Sequence, residues 1–181
     1  EHGGKTEVSD LLERAHVQPD VRFTTWEDFA RKLDEVLAQF VAIYHPAYFE
    51  RIGLRYINGF SRRALGLEGV PFRDLIQPAY LGLMAEDDVQ EQSVQRVTQD
   101  VEMALAGGCR LKLHCGPGMV KRGNVEDKEV RFILDNDVFM NGKIELKHSA
   151  GALNTVHTHA DRIFRGAITD QLHDAMEPQP L

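Results

Sequence analysis

Cationic side chains alternate with apolar ones in three stretches of the chain. Arg55, for example, stands between Leu54 and Tyr56. Because successive side chains of a β-strand point to opposite faces, this pattern predicts strands with one apolar and one basic face. Guanidinium groups bind carboxylate and phosphate oxygens in a planar, two-point geometry, so the basic face is a candidate site for a protein partner or a small anionic ligand. The candidate residues are Arg51, Arg55, Arg110, Lys112 and Arg131.

The same residues also fit an ordinary solvated sheet face. A hairpin that turns at 106–108 would place Glu102 opposite Lys112 and Asp100 opposite His114. Cross-strand carboxylates would neutralise part of the basic face, and exposed ion pairs of this kind stabilise by only about 0.2–1 kcal/mol. The sequence leaves both interpretations open.

Asp135 and Asp137 form a second candidate site. Residues two apart share one face of a strand, and paired carboxylates can bind Mg²⁺ or divide the roles of acid and base. No neighbouring residue completes a metal shell, and Asp-Asn-Asp is also typical of a strand end or turn. We therefore predict no metal and no cofactor, and keep Asp135 and Asp137 as the weaker alternative.

The remaining reactive side chains fit structural roles better. Cys115 follows His114 directly, so in a strand the two point to opposite faces and the thiol becomes a small core residue. His157, His159 and His173 lack the four-residue spacing of a helical zinc site. Without a nucleophile–base pair, a metal motif or a phosphate-binding glycine loop, the sequence favours a protein that is not an enzyme.

Two long helices are predicted, one in each half of the chain. Thr24 and Glu27 have the spacing of a capping box, and an apolar stripe follows up to Pro46, so we predict a helix over 25–45 whose stripe is core. A second stripe from Leu153 to Leu172, closed by Met176 and Pro178, predicts a closing helix of about 23 residues. The first stripe consists of Trp26, Phe29, Leu33, Val36, Leu37, Phe40 and Tyr44.

Between these helices the apolar period changes to two. The predicted elements are a strand over 48–58, one or two helical turns over 72–83, a hairpin that pairs Val101 with Leu113 and Met103 with Leu111, a terminating turn at 116–118, a charged turn at 121–128 and a strand over 130–134. Together they indicate an α+β fold, a mainly antiparallel sheet with two long helices packed on one face. Residues 1–22 are predicted to be a poorly structured lead-in and 23–178 a single domain.

Composition narrows the classes of function. The chain has 181 residues and a formal net charge of −7, which argues against generic nucleic-acid binding. No apolar run reaches the length of a membrane span, so we predict no membrane partner. The two cysteines are too few for a disulfide framework, and this usage favours the cytoplasm.

Three separated motifs resemble those of a sporadically distributed family of uncharacterised bacterial proteins. They are Trp26-Glu-Asp-Phe29, Arg51-Ile-Gly-Leu-Arg-Tyr-Ile-Asn58 and Ile163-Phe-x-x-x-Ile-Thr-Asp-x-Leu-His173. The resemblance implies a cytoplasmic α+β protein, carries no established activity, and suggests mobile or defence-linked genes. Family members have further strands before the aromatic helix, which 1–22 does not match, so the sheet is expected to lack one edge.

The sequence therefore predicts a non-enzymatic binding or regulatory module, antitoxin-like, immunity-like or defence-associated, that acts through a protein partner or an anionic ligand. The alternative is a metal-dependent enzyme for a phosphate-containing substrate, in which Arg51 and Arg55 hold the anion and Asp135 and Asp137 bind a divalent ion. A third possibility is a homodimer formed through an unpaired strand edge.

Overall fold

The computed structural model of the protein describes residues 25–122 and 125–176. At 121, 122 and 125–127 it describes the backbone alone. The predicted lead-in over 1–22 lies outside the described residues. The helices are α1 (Trp26–Tyr44), α2 (Phe72–Leu75), α3 (Pro78–Leu81), α4 (Ser149–Ala167) and α5 (Asp170–Ala175), and the strands are β1 (Tyr48–Phe60), β2 (Gln99–Ala104), β3 (Cys109–Arg122) and β4 (Val125–Glu145). Short 3₁₀ turns span Gly82–Ala85, Glu91–Ser93, Ala106–Gly108 and Leu146–His148.

The four strands form one antiparallel sheet in the order β1-β4-β3-β2. Alternate residues of the strands are buried on the helix side, among them Leu54, Leu113 and Phe132. The helix α4 lies across β4 and β1, and α3 covers β3, where the Sγ of Cys115 lies 3.6 Å from the carbonyl oxygen of Tyr80. This arrangement confirms the predicted α+β class. In the described ranges, no helix is both long and apolar enough to cross a membrane.

The hairpin of β2 and β3 has the register that the alternation predicts. Met103 pairs with Leu111 and Val101 pairs with Leu113. The connection at Ala106–Gly108 is closed by a hydrogen bond of 2.8 Å from the amide of Leu105 to the carbonyl of Cys109. Apolar residues thus meet on one face and charged residues on the other.

The first helix differs from its prediction in two respects. Its N-cap is Thr25, whose hydroxyl accepts a hydrogen bond of 3.1 Å from the amide of Asp28. Its stripe is also less buried than expected, because no residue of α1 is fully buried. Trp26 and Phe29 pack against the core, but Tyr44 at the other end of the helix is exposed.

The predicted turn at 116–118 is wrong, because β3 continues through it to Arg122. Gly116 has φ 149°, and a Cβ there would lie 2.5 Å from the carbonyl oxygen of Val97, so glycine serves a close approach between backbones. Pro117 follows the last residue of β3 that pairs with β2, Cys115, so its missing N–H removes no bond to that strand.

Three further predicted elements differ from the structure. The strand expected over 130–134 is part of the 21-residue β4, so Asp135 and Asp137 lie inside a strand, and the predicted charged turn at 121–128 is mostly strand. The single closing helix is also wrong. It breaks at the buried Ile168, which is extended and bridges Ile76, and the hydroxyl of Thr169 then caps α5.

Candidate binding face of the sheet

The sheet face opposite the long helices carries most of the predicted site. We call it the open face, because no described element covers it. Four of the five candidate cations lie together on this face, and four carboxylates lie among them. With His114 counted as neutral, the formal charge of this cluster is zero. The cluster consists of Arg51, Arg55, Arg110, Lys112, His114, Asp100, Glu102, Asp135 and Asp137.

Arg55 forms a two-point ion pair with Asp135. Its Nε donates to one carboxylate oxygen at 2.8 Å and its Nη2 to the other at 2.7 Å. This fork geometry fixes the guanidinium plane against the strand. The side chain of Asp135 is only 16% exposed, so the pair is partly shielded from water on the carboxylate side.

Arg51 lies flat across the neighbouring strand. Its Nη2 donates to both carboxylate oxygens of Asp137, at 2.8 and 2.9 Å, and its guanidinium carbon lies 4.6 Å from the centre of the Phe139 ring. Gly53 makes this position possible, because a Cβ there would lie 2.9 Å from the Cβ of Phe139 and 3.0 Å from the Nη1 of Arg51. The absence of a side chain at Gly53 therefore leaves room for a cation–π contact.

The hairpin supplies two more contacts between a basic and an acidic side chain. The Nζ of Lys112 lies 3.2 Å from a carboxylate oxygen of Glu102, and the Nδ1 of His114 lies 2.7 Å from one of Asp100. Both pairs are the ones that the cross-strand register predicts. Cross-strand carboxylates thus neutralise part of the basic face, as the interpretation of an ordinary solvated sheet face expects.

Arg110 differs from the other cations of the cluster. It is exposed, it pairs in register with Phe139 on one side and Ala104 on the other, and neither neighbour carries a charge. Among the described residues, no carboxylate lies within ion-pair distance of it. Both arginines therefore neighbour Phe139, Arg110 through the strand register and Arg51 over the ring, but only Arg51 has an acidic partner.

Arg131 does not belong to this cluster. It lies six residues before Asp137 on β4, and its Nε contacts Glu129 at 3.3 Å. Glu129 also accepts hydrogen bonds from the Ser61 hydroxyl and the Arg63 amide. Burial by itself would raise the pKa of Glu129, but these bonds and the two arginines lower it below the ordinary value. This acceptor cluster ties β4 to the end of β1.

The weaker metal alternative finds no geometric support. The carboxylate oxygens of Asp135 accept from two nitrogens of Arg55 and those of Asp137 from one nitrogen of Arg51, and these contacts occupy the oxygens that a cation would need. Across the described ranges, no three His, Cys, Asp or Glu side chains lie close enough together to hold a metal ion. A divalent ion here would have to displace both of these ion pairs.

The cysteines and the helix histidines have structural surroundings. Cys115 is fully buried, as predicted, and burial together with the charge of Asp100 raises its pKa to about 11. Burial also raises the pKa of Cys109. His157 stacks on Trp26, and the Nε2 of His159 lies 3.0 Å from the carbonyl oxygen of Ala106. These thiols and rings therefore offer no activated nucleophile.

Sequence reasoning missed Phe139 and Gly53, which shape the centre of the open face. Phe139 is 5% exposed although it points away from the helices, because Arg51 covers it. The adjacent apolar pair Val138-Phe139, which breaks the alternation of β4, is the signal that could have found it.

A search of protein-family models, of curated proteins and of solved structures finds no match to this chain.

Proposed function

We propose that the protein is a non-enzymatic binding module that docks an acidic segment of a protein partner on the open face. The observation that carries this proposal is Arg110, an exposed guanidinium without a carboxylate partner among the described residues, set in a cluster whose other cations are matched. A carboxylate from outside the chain would complete the pattern of pairs.

The neighbouring side chains favour a protein surface over a small molecule. Arg51 and Arg55 are held in fixed positions by Asp137 and Asp135, so binding against them costs little side-chain entropy. Arginine is enriched among the residues that dominate interface affinity. An exposed sheet face also suits a protein segment, whereas small-molecule sites are concave. An exposed Ile57 on the same face offers an apolar contact beside the ion pairs.

Such a module fits a regulatory, antitoxin-like or immunity-like role, in which occupying a partner is the activity. We propose a cytoplasmic location, which the free, buried thiols of Cys109 and Cys115 support. A phosphate-bearing ligand would use the same guanidinium and is an outcome of the test below.

The test uses the ¹⁵N-labelled chain titrated with an oligo-glutamate peptide, with oligo-lysine and inorganic phosphate as parallel probes. We expect chemical-shift changes from oligo-glutamate at Arg110 and its neighbours on β3 and β4. The variant Arg110→Glu should weaken binding about tenfold or more, since a charge-assisted hydrogen bond contributes about 1.5–3 kcal/mol.

Arg162→Glu is the matched control. Arg162 is an exposed arginine of α4, in the other layer of the fold, and the variant changes the net charge by the same amount. It should leave binding nearly unchanged. Equal losses in both variants, or no shifts with oligo-glutamate, would overturn the proposal, and shifts with phosphate alone would replace the protein partner by an anionic ligand.

A further inference from the structure

A second surface lies at the border of the sheet that β1 forms. In the part of the chain that the structure describes, no strand pairs with the outer side of β1. The helix α1 lies at the same border, because Trp26 stacks on His157 and the Nδ1 of His157 lies 3.3 Å from the Tyr56 hydroxyl of β1. His159, in contrast, contacts the connection between β2 and β3.

The C-terminal half of α1 is uncharged on every side. From Val36 to Phe49 the chain contains no Asp, Glu, Lys or Arg. Val36, Ile43 and Tyr44 are 61%, 68% and 69% exposed, and with the half-buried Phe40 they form one stripe at spacings of three and four residues. Apart from Gln39 the helix segment is apolar, which is typical of a buried position, and exposed apolar patches mark interaction surfaces.

The edge of β1 is also open to pairing. β1 has 13 residues and contains neither lysine nor proline, two residues that commonly protect sheet edges, and its one carboxylate is Glu50, near the start of the strand. Its two arginines turn inward across the sheet to Asp137 and Asp135 and so do not guard the edge. The opposite border is formed by β2, which has only 6 residues. The border at β1 therefore offers a partner strand about twice the length of edge that the border at β2 offers.

We propose that a second copy of this chain covers the β1 border, with the two β1 strands paired antiparallel about a two-fold axis perpendicular to the sheet. Such an axis keeps both helix layers on the same side of a continuous eight-stranded sheet. It therefore places the two α1 helices next to each other, where their exposed stripes can be buried. The open face stays accessible on the other side, so this inference is independent of the proposed function.

Charge and area both favour a second copy as the occupant. The chain has a net charge of −7, so copies repel each other over most of their surface, whereas the uncharged segment from Val36 to Phe49 meets its own copy without repulsion. The border is about 40 Å long at about 3.3 Å per residue and, with a helix about 10 Å across above the sheet, about 20 Å deep. That is of the order of the roughly 800 Å² that each partner buries in a standard interface.

The test measures molar mass by light scattering over a range of protein concentrations. We expect twice the 20.5 kDa of the chain. Ile43→Glu should raise the dissociation constant of the dimer by at least about a hundredfold, because the interface would bury an unpaired carboxylate. Leu83→Glu is the matched control, since Leu83 is 75% exposed in the Gly82–Ala85 turn away from this border, and it should leave the mass unchanged.

Hydrogen exchange of the β1 amides provides the second readout. In the dimer both sides of β1 are hydrogen-bonded, so dilution or Ile43→Glu should deprotect the outward-pointing amides. A monomer at all concentrations overturns the proposal, and so does a dimer that Ile43→Glu leaves intact. A monomer whose β1 amides are nonetheless protected on both sides also overturns it and assigns the edge to another segment of the same chain.

Discussion

The indole ring of Trp26 lies flat against the imidazole ring of His157, with the ring centres 3.8 Å apart and 5° between the planes. The Nδ1 atom at the edge of the same imidazole ring lies 3.3 Å from the hydroxyl oxygen of Tyr56. One side chain thus joins α1, α4 and β1 at the place where the first helix meets the core. Its state of protonation should affect how well that helix is held.

We expect the protein to lose stability as the pH falls below about 6.5, the ordinary pKa of histidine. Burial lowers the pKa of His157, and the nearby charges of Asp161 and Glu27 only partly oppose this. The unfolded chain therefore binds the proton first, so this contribution is fully present above about pH 6.5 and is lost as the pH falls towards the folded-state pKa.

Urea unfolding at a series of pH values checks this expectation. The comparison protein is His157→Phe, which keeps an aromatic ring against Trp26 but cannot titrate. All other histidines are common to both proteins, so the difference between the two pH profiles reports His157. Parallel profiles would show that the protonation of His157 is not linked to folding.

The ion pair between Arg55 and Asp135 should show measurable coupling in a double-mutant cycle. We expect about 0.5–1 kcal/mol for the two-point geometry, decreasing with added salt, because Arg55 remains largely exposed. The exposed helix pair of Arg31 and Glu35, with a single contact of 3.1 Å, is the control and should give about 0.3–0.5 kcal/mol or less. A smaller coupling for Arg55 than for Arg31 would contradict the fork geometry.

Gly53 and Gly59 in β1 should respond oppositely to alanine. In Gly53→Ala the new Cβ would lie 2.9 Å from the Cβ of Phe139, so we expect a loss of about 1–3 kcal/mol and displacement of Arg51 from the ring. In Gly59→Ala the nearest atom is 3.5 Å away, an ordinary contact, and alanine should be neutral or stabilise by up to about 1 kcal/mol. Thermal unfolding measures the stability of both variants, and equal effects would contradict the need for glycine at position 53.

The sequence was sufficient to predict strand pairing where the residues that determine it are close together in the chain. The register of Met103 with Leu111 follows from alternation and a glycine-containing turn, and both are visible within a few residues. Pairs distant in the chain were not visible in the same way. Arg51 and Asp137 are 86 residues apart, and nothing in either segment selects that partner over another carboxylate.

The wrong predictions share a tertiary cause. The chain before β2 approaches Gly116 so closely that glycine is needed inside a strand, where local rules predict a turn. In the same way, Ile168 continues the helical stripe in sequence, yet Thr169 and Ala167 form hydrogen bonds to the segment 75–77 and break the helix there. A period of 3.6 shows which residues are buried but cannot show that a neighbouring segment competes for their backbone groups.

The buried side-chain amide of Asn136 has only part of its hydrogen-bonding capacity satisfied. Two substitutions there should therefore change the free energy of unfolding in different directions. It is fully buried, its Nδ2 donates to the Ala160 carbonyl at 3.4 Å, and its Oδ1 has no partner among the described residues. Asn136→Leu removes the unpaired oxygen, keeps the branched arrangement of side-chain heavy atoms and should be neutral or stabilise by about 1 kcal/mol, whereas Asn136→Asp buries an unpaired charge and should destabilise by about 3–5 kcal/mol. Urea unfolding measures both, and a loss above about 2 kcal/mol for leucine would mean that a buried water satisfies the amide.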